Sequence, residues 1–172
     1  MKHLILIFLV SELSFRLSGS VRPEGDTDIG FEPAISVLAK ALETADRLEV
    51  YEGLPNPFGE NKLFESEKQV KACRQIAGEW FYAKPQEAKL EILRELQRLT
   101  EAKLFQSWRG MKFCGGFHAD FAVALATGKK TLYVLFCYGC HEAKIISESK
   151  SFTADISTVD FRLTTDLNPK SF

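Results

Sequence analysis

The sequence is poor in cysteine, carries almost no net charge and lacks a long apolar run, and each shortage excludes a class of protein. Four cysteines in 172 residues are too few for a disulfide-packed mini-protein, although they suffice for one metal site or two bridges. A net charge of −1 produces no long-range electrostatic attraction to nucleic acid or to anionic lipid, so we expect no nucleic-acid partner. The sequence has no repeat or low-complexity tract, and its 45% apolar and 26% charged residues are typical of an ordinary globular domain.

The N-terminal residues predict export to the periplasm or the extracellular space. A basic start, the apolar residues 4–10 and a small-residue cluster around Gly19 form the pattern of a signal peptide over 1–20. The apolar run is shorter than the roughly twenty residues that span a bilayer, so we expect no stable membrane span after cleavage. The alternative is a buried strand in a cytoplasmic protein, because Glu12 and Arg16 are unusual in an export signal.

Hydrophobic periodicity predicts a single α+β domain over 31–172, preceded by a polar linker over 21–30. Apolar residues at helical spacing predict four helices, at about 33–47, 66–78, 85–105 and 153–167. Alternation over 119–137, with a turn at Gly128, predicts a β-hairpin in a small antiparallel sheet with further short strands. The helices mostly precede the strands, which favours α+β over a doubly wound sheet.

Cysteines and histidines flank the predicted hairpin. The spacing is C-x3-H, then eighteen residues, then C-x2-C-H, and the residues are Cys114, His118, Cys137, Cys140 and His141. Because the two ends of a hairpin meet in space, both halves of this cluster should lie at the same end of the sheet. The remaining cysteine, Cys73, is predicted to face the core from the helix over 66–78.

Two structural roles are open for Cys114, His118, Cys137 and Cys140. Zinc binds four nitrogen or sulfur ligands in a tetrahedron, and Gly139 would let the two cysteines of the C-x2-C segment face one ion. The other role is a static disulfide, such as Cys137–Cys140. In the oxidising compartment that the N-terminus predicts, the bridge is favoured over zinc.

The C-x2-C-H segment also matches two functional motifs. Cys137 and Cys140 could bind haem c through thioethers, with His141 as an axial ligand, in an electron-transfer protein. The preceding residues are typical of a buried strand and leave little chain to enclose a macrocycle, so zinc is favoured over haem. Alternatively, Cys137 and Cys140 could form a redox-active disulfide that Cys114 resolves.

No positive sign of an enzyme is present in the sequence. It has no G-x-S-x-G, P-loop or G-x-G-x-x-G segment. Asp120 and Glu142 lie beside the cluster and could orient a histidine, although both are equally typical of exposed strand residues. A protein-interaction module, in which the cluster only stabilises the fold, is therefore a further alternative, with a partner that the sequence does not identify.

Three blocks of the chain resemble a family of small bacterial proteins, many of them exported, which have no assigned function. The blocks are YEGLP at 51–55, CGGFH-x-D at 114–120 and C-x-G-C at 137–140. Asn56, Ala119 and Phe121 depart from the family pattern, which has histidine, proline and tyrosine there. The family pattern does not require a histidine after the last cysteine. The resemblance thus favours Cys114, His118, Cys137 and Cys140 over the haem motif, and it implies no reaction.

Overall fold

A computed structural model of the chain describes residues 27–28, 30–88, 90–108, 116–148 and 150–156. The described residues form three helices and ten strands, a mixed α+β fold in which strands dominate. The helices are α1 (Phe31–Thr44), α2 (Asn61–Val70) and α3 (Leu90–Glu101). The strands are β1 (Thr27–Asp28), β2 (Arg47–Glu52), β3 (Cys73–Ile76), β4 (Glu79–Tyr82), β5 (Gln86–Glu87), β6 (Phe105–Ser107), β7 (Phe121–Thr127), β8 (Lys130–Cys137), β9 (Glu142–Ser147) and β10 (Lys150–Ile156). The predicted signal peptide lies outside the described residues.

The main sheet has the strand order β1-β10-β9-β8-β7-β2-β5, and β6 also pairs with β10. Strands β7 to β10 form an antiparallel meander, and β2 pairs antiparallel with β7. The two-residue strand β1 runs parallel to β10. The antiparallel hairpin predicted over 119–137 is confirmed as β7 and β8, with Gly128 at a φ of 57° in the turn between them.

Helices α1 and α3 cover one face of the main sheet. Alternate residues of the strands point to this face, because successive side chains of a strand lie on opposite sides of a sheet. Val123 of β7 and Val134 of β8 are paired across the hairpin there, and both are fully buried. The helix residues that pack against the sheet are Ala34, Leu38, Leu42, Ile92, Leu96 and Leu99. The amphipathic pattern of the sequence is therefore confirmed for these two helices.

The opposite face of the main sheet carries the alanines of β7 beside larger residues of its neighbours, and a second, two-stranded sheet packs against it. The hairpin of β3 and β4 places Ile76 and Phe81 against Ala122 and Ala124 of β7, and these four residues are buried. Alanine side chains allow a neighbouring backbone to approach closely. The alternation of bulky and small residues in β7 thus reflects two covered faces, with helices on one side and a hairpin on the other.

The helix predicted over 66–78 is correct only for its first residues, and its second half is wrong. The helix α2 ends at Val70, and Cys73–Ile76 form strand β3. Ala77 and Gly78, with φ values of 49° and 85°, make the two-residue turn that joins β3 to β4. Two consecutive positive φ values match the twist of a tight hairpin and are incompatible with a helix. Cys73 consequently lies on a strand, and its side chain is half-buried.

The structure also differs from the sequence prediction at the ends of two further helices and in the linker. The helix expected over 85–105 is shorter, because strands β5 and β6 occupy its two ends. The helix expected over 153–167 is wrong in its first residues, since β10 continues to Ile156, and the remainder lies outside the described residues. Thr27 and Asp28, in the predicted linker, pair with β10. Within the described residues, no helix is long and apolar enough to cross a membrane.

Candidate functional site at one end of the main sheet

The described parts of the three sequence blocks, 51–55, 116–120 and 137–140, meet at the end of the main sheet where β2 and β8 finish and β7 begins. The backbone N–H of Gly53 donates a 2.8 Å hydrogen bond to the carbonyl oxygen of Asp120. The N–H of Asp120 donates to the carbonyl oxygen of Phe136 at 2.8 Å, and its carboxylate Oδ2 accepts the N–H of Tyr138 at 2.7 Å. Asp120 therefore connects the YEGLP block to the C-x-G-C block through its own peptide and side chain.

Gly53 is at a position that no larger residue can occupy without movement of the backbone. A Cβ atom built on Gly53 would lie 2.0 Å from the carbonyl oxygen of Ala119. Leu54, the next residue, is 1% exposed, and its N–H donates to the carbonyl oxygen of Trp80 at 3.0 Å. The YEGLP block thus links the main sheet to the β3–β4 hairpin.

Cys137 is a free cysteine, 3% exposed, at the last position of β8. Its Sγ accepts the backbone N–H of Cys140 at 3.3 Å and also the backbone N–H of His118. Burial raises the pKa of the Cys137 thiol, and the nearby carboxylates of Asp120 and Glu142 raise it further, although the two N–H donors act in the opposite direction. A thiol with a raised pKa is protonated at neutral pH and is a weak nucleophile in that state.

Cys140 lies in the four-residue connection between β8 and β9 and is also 3% exposed. Its Sγ lies 3.2 Å from the carbonyl oxygen of Gly116. Cys73 and Cys137 are the free cysteines of the described residues, and Cys140 is not a free thiol. The expected static bridge between Cys137 and Cys140 is therefore wrong, because Cys137 retains its thiol. Cys114 lies outside the described residues.

The prediction that both halves of the cluster meet is confirmed for His118, Cys137 and Cys140, because the backbone of His118 contacts Cys137. Among the described residues, no three histidine, cysteine or acidic side chains are close enough together to hold a metal ion. Within the described part of the chain, His118, Cys137 and Cys140 therefore do not form the zinc-ligand group that the sequence predicted. The burial of Cys137 and Cys140 does not fit a covalent haem, whose edge would have to reach both sulfur atoms.

His141 contributes to the turn through its backbone. Its φ of 54° closes the connection between β8 and β9, and its carbonyl oxygen accepts the N–H of Ile156 at 2.9 Å. Its N–H in turn lies 3.4 Å from the carbonyl oxygen of Tyr138. These contacts give His141 a structural role at the start of β9.

The two acidic residues beside the cluster bind groups other than imidazoles. Asp120 accepts the backbone N–H of Tyr138, as described above, and Glu142 Oε1 accepts the indole N–H of Trp108 at 2.9 Å. Glu142 is 6% exposed, whereas Trp108 is 44% exposed. Sequence reasoning did not link Trp108 to Glu142, since no spacing rule joins residues that are 34 positions apart.

A second group of polar contacts, which the sequence did not predict, attaches the β3–β4 hairpin to the sheet. Lys144 of β9 forms a 3.1 Å ion pair with Glu79 of β4, and its ammonium lies 3.9 Å from the ring centroid of Phe117. Arg74 of β3 donates to the hydroxyl of Tyr51 at 2.9 Å, and that hydroxyl donates to Glu49 at 2.7 Å. These groups hold the hairpin beside the segment that precedes β7.

Comparison of the chain with models of protein families, with curated proteins and with solved structures finds no match.

Proposed function

We propose that the chain is a small exported domain whose cysteine cluster is structural, with a disulfide between Cys114 and Cys140. The observation that carries this proposal is the 3.2 Å distance between Cys140 Sγ and the carbonyl oxygen of Gly116. Cys114 is two residues before Gly116, so the chain keeps their Cα atoms within about 7 Å of one another. Cys73 and Cys137 have free thiols, which leaves Cys114 as the intramolecular partner for Cys140.

The proposed bridge joins the segment before β7 to the connection between β8 and β9. It closes a loop of roughly 27 residues, which corresponds to about 3.5 kcal/mol of stabilisation from restriction of the unfolded chain. The hydrogen bond from Tyr138 to the Asp120 carboxylate already joins these two segments noncovalently. The domain then acts through its surface, as a protein-interaction module, while the cysteines maintain its shape.

The pairing can be tested by mass spectrometry of the full chain without reductant. Trypsin cleaves after Lys130 and Lys144, so Cys137 and Cys140 share one peptide, while Cys114 lies on the peptide 113–129. We expect these two peptides to be linked, with Cys137 alkylated after acid denaturation. Cys137→Ser should retain the link, and Cys140→Ser should lose it. A fresh, unreduced protein in which Cys114 and Cys140 are both alkylated would contradict the proposal.

Zinc binding is the alternative that the sequence leaves open, because thiolates and imidazoles bind zinc. Among the described residues the cluster forms no metal-ligand group, and burial raises the pKa of the Cys137 thiol, so the disulfide is favoured. The ligands would be Cys114, His118, Cys137 and Cys140. Native mass spectrometry distinguishes the two candidates. A protein that carries one zinc, lost on denaturation, and four alkylated cysteines would replace the disulfide with a metal site.

Export is a separate part of the proposal, supported by the apolar run at residues 4–10 and by the resemblance to exported bacterial proteins. Expression in a bacterial host should yield periplasmic protein whose new N-terminus lies near position 21. A variant that lacks residues 1–20 should remain in the cytoplasm. Full-length protein recovered in the cytoplasm with its N-terminus intact would contradict export and weaken the case for an oxidising compartment.

A further inference from the structure

The large apolar side chains that are exposed within the described residues are concentrated on α2 and on the turn before it. Leu63 and Val70 of α2 are 47% and 71% exposed, and Phe58 of the preceding turn is 74% exposed. The two others, Val37 on α1 and Trp108, lie on separate elements and are exposed to a smaller extent. Grouped exposed apolar residues, unlike single ones, mark a surface that associates with a partner.

The inner side of α2 is already fixed against the β3–β4 hairpin. Phe64 is buried there, and the Tyr82 hydroxyl donates to Glu67 at 3.2 Å. The ammonium of Lys68 lies 4.2 Å from the ring centroid of Trp80. Because these contacts fix the rotation of the helix, its exposed apolar residues are presented in one orientation, and a partner does not have to order them on binding.

The exposed residues of α2 form a stripe, which we define as Leu63, Ser66 and Val70. Leu63 and Val70 are seven positions apart, so they lie on one flank of the helix at a separation of about 10 Å. Ser66 lies between them, is exposed, and is small enough to let a second helix approach closely. We propose that this stripe joins two copies of the chain, whose α2 helices pack antiparallel about a two-fold axis near Ser66, with Leu63 of each copy against Val70 of the other.

Charge complementarity favours a second copy in the antiparallel orientation. Glu60 and Lys71 are exposed at opposite ends of α2, and they lie on the same flank of the stripe because about three turns separate them. A two-fold axis repeats every contact, so an antiparallel pair places each Glu60 opposite Lys71 of the other copy. On the other flank, Lys62 faces the neutral Gln69 of the second copy. A parallel pair would instead place Glu60 against Glu60 and Lys71 against Lys71.

The dimer is expected to be weak, because a contact centred on one short helix buries little area from water. We expect a dissociation constant on the order of 100 µM, so that the chain is monomeric when dilute. The inference goes beyond the proposed disulfide and does not depend on it, since α2 lies outside the cysteine cluster. Cys140→Ser should therefore lose the disulfide and retain the self-association.

Sedimentation of the full chain from about 10 µM to about 1 mM tests the self-association. We expect the average mass to rise from one chain toward two as the concentration increases. Leu63→Glu and Val70→Glu should each weaken the dimer by at least about tenfold while the circular dichroism spectrum stays that of the parent. Val37→Glu, at an exposed apolar position on α1, is the matched control and should leave the dimer intact. A parent chain that stays monomeric at 1 mM, or a dimer that resists both α2 variants, would overturn the proposal.

Charge reversal tests the orientation of the two helices. Glu60→Lys and Lys71→Glu should each weaken the dimer by about fivefold at low salt, because each removes two ion pairs and creates like-charge contacts. The double variant, Glu60→Lys with Lys71→Glu, restores opposite charges and should dimerise as the parent does. A double variant that is weaker than either single one would contradict the antiparallel arrangement.

Cross-linking tests the position of the two-fold axis. Trypsin cleaves after Lys62 and Lys68, so the peptide 63–68 contains both Ser66 and Glu65. Under mild oxidation, Ser66→Cys should link this peptide to its own copy. Glu65→Cys is equally exposed in the parent but lies away from the stripe, so it should link much less. Equal linking of the two variants, or a preference for Glu65→Cys, would overturn the proposed contact.

Discussion

The backbone N–H of Gly53 donates to the carbonyl oxygen of Asp120, and this bond joins two segments that are 67 positions apart in the chain. It occurs where β2 ends and β7 begins, at the end of the sheet that carries the cysteines. The Asp120 side chain continues the connection to Tyr138. One aspartate therefore organises the backbone around Cys137 and Cys140, and the first two predictions concern this contact.

Gly53→Ala should lower the free energy of unfolding by at least about 2 kcal/mol, because the new methyl group requires a backbone shift in a packed site. The Cβ of alanine would lie 2.0 Å from the carbonyl oxygen of Ala119. The matched control is Gly59→Ala, since no atom lies within 4 Å of the Cβ position of Gly59. Urea denaturation followed by circular dichroism measures both. Equal stability of the two variants would show that the contact with Ala119 has no energetic importance.

Asp120→Ala should lower the free energy of unfolding by about 1–3 kcal/mol, because the N–H of Tyr138 loses its acceptor. Asp120→Asn keeps an oxygen in the same place and should cost less than the alanine variant. Asp46→Ala serves as the control, since Asp46 accepts the N–H of Gly128 at an exposed turn where water can replace it. A loss for Asp46→Ala as large as that for Asp120→Ala would contradict this explanation.

The ion pair of Lys144 and Glu79 should have a larger coupling energy than an exposed pair. Its side chains are 26% and 19% exposed, against 81% and 68% for Lys130 and Glu148. We expect a double-mutant cycle with alanine to give about 0.5–1 kcal/mol for the first pair and a value near zero for the second. The difference should persist in 0.5 M salt, because burial limits screening. Equal coupling energies for the two ion pairs would mean that Lys144 and Glu79 do not help to attach the β3–β4 hairpin to the main sheet.

Stability should fall at high pH as two tyrosines ionise. Burial, with the hydrogen bond to Glu49, raises the pKa of Tyr51 to about 12, and burial, with the nearby Glu67, raises the pKa of Tyr82 to about 12. Because the folded-state values exceed the usual 10, the unfolded chain loses these protons first. The two tyrosines therefore contribute their full stabilisation of the folded protein below pH 10. This contribution is lost as the pH rises to about 12.

Absorbance at 295 nm during a pH titration would measure the tyrosine ionisation directly. We expect the variants Tyr51→Phe and Tyr82→Phe each to remove one late-titrating group from the curve. Denaturation series at pH 9 and pH 11 would show whether the loss of stability follows. A Tyr51 that titrates near 10 in the folded protein would contradict the burial of its hydroxyl beside Glu49 and Arg74.

Much of the secondary structure could be predicted from local patterns. The alternation over 119–137 identified β7 and β8, and the spacing of Ile92, Leu96 and Leu99 identified α3. The wrong predictions occur where a short pattern of apolar residues fits both a helix and a strand. Cys73 and Ile76 have helical spacing, but Ala77 and Gly78 turn the chain back as a hairpin.

The candidate site was predictable only in part. The hairpin rule placed His118 beside Cys137, because the paired ends of β7 and β8 must meet. The same rule could not identify which thiol stays free, since both Cys137 and Cys140 lie near the same turn. It also offered no signal for the contact of Trp108 with Glu142, which depends on how β6 pairs with β10.

The sequence by itself determined the α+β class, the central hairpin and the meeting of His118 with Cys137 and Cys140 at one end of it, because each follows from periodicity and pairing between neighbours in the chain. Only the tertiary structure decided that the alanines of β7 accept a second hairpin, that Gly53 contacts Asp120 and that Cys137 keeps its thiol. These features depend on distances between segments that are far apart in sequence. Local propensity contains no information about such distances, which the packing of the whole domain establishes.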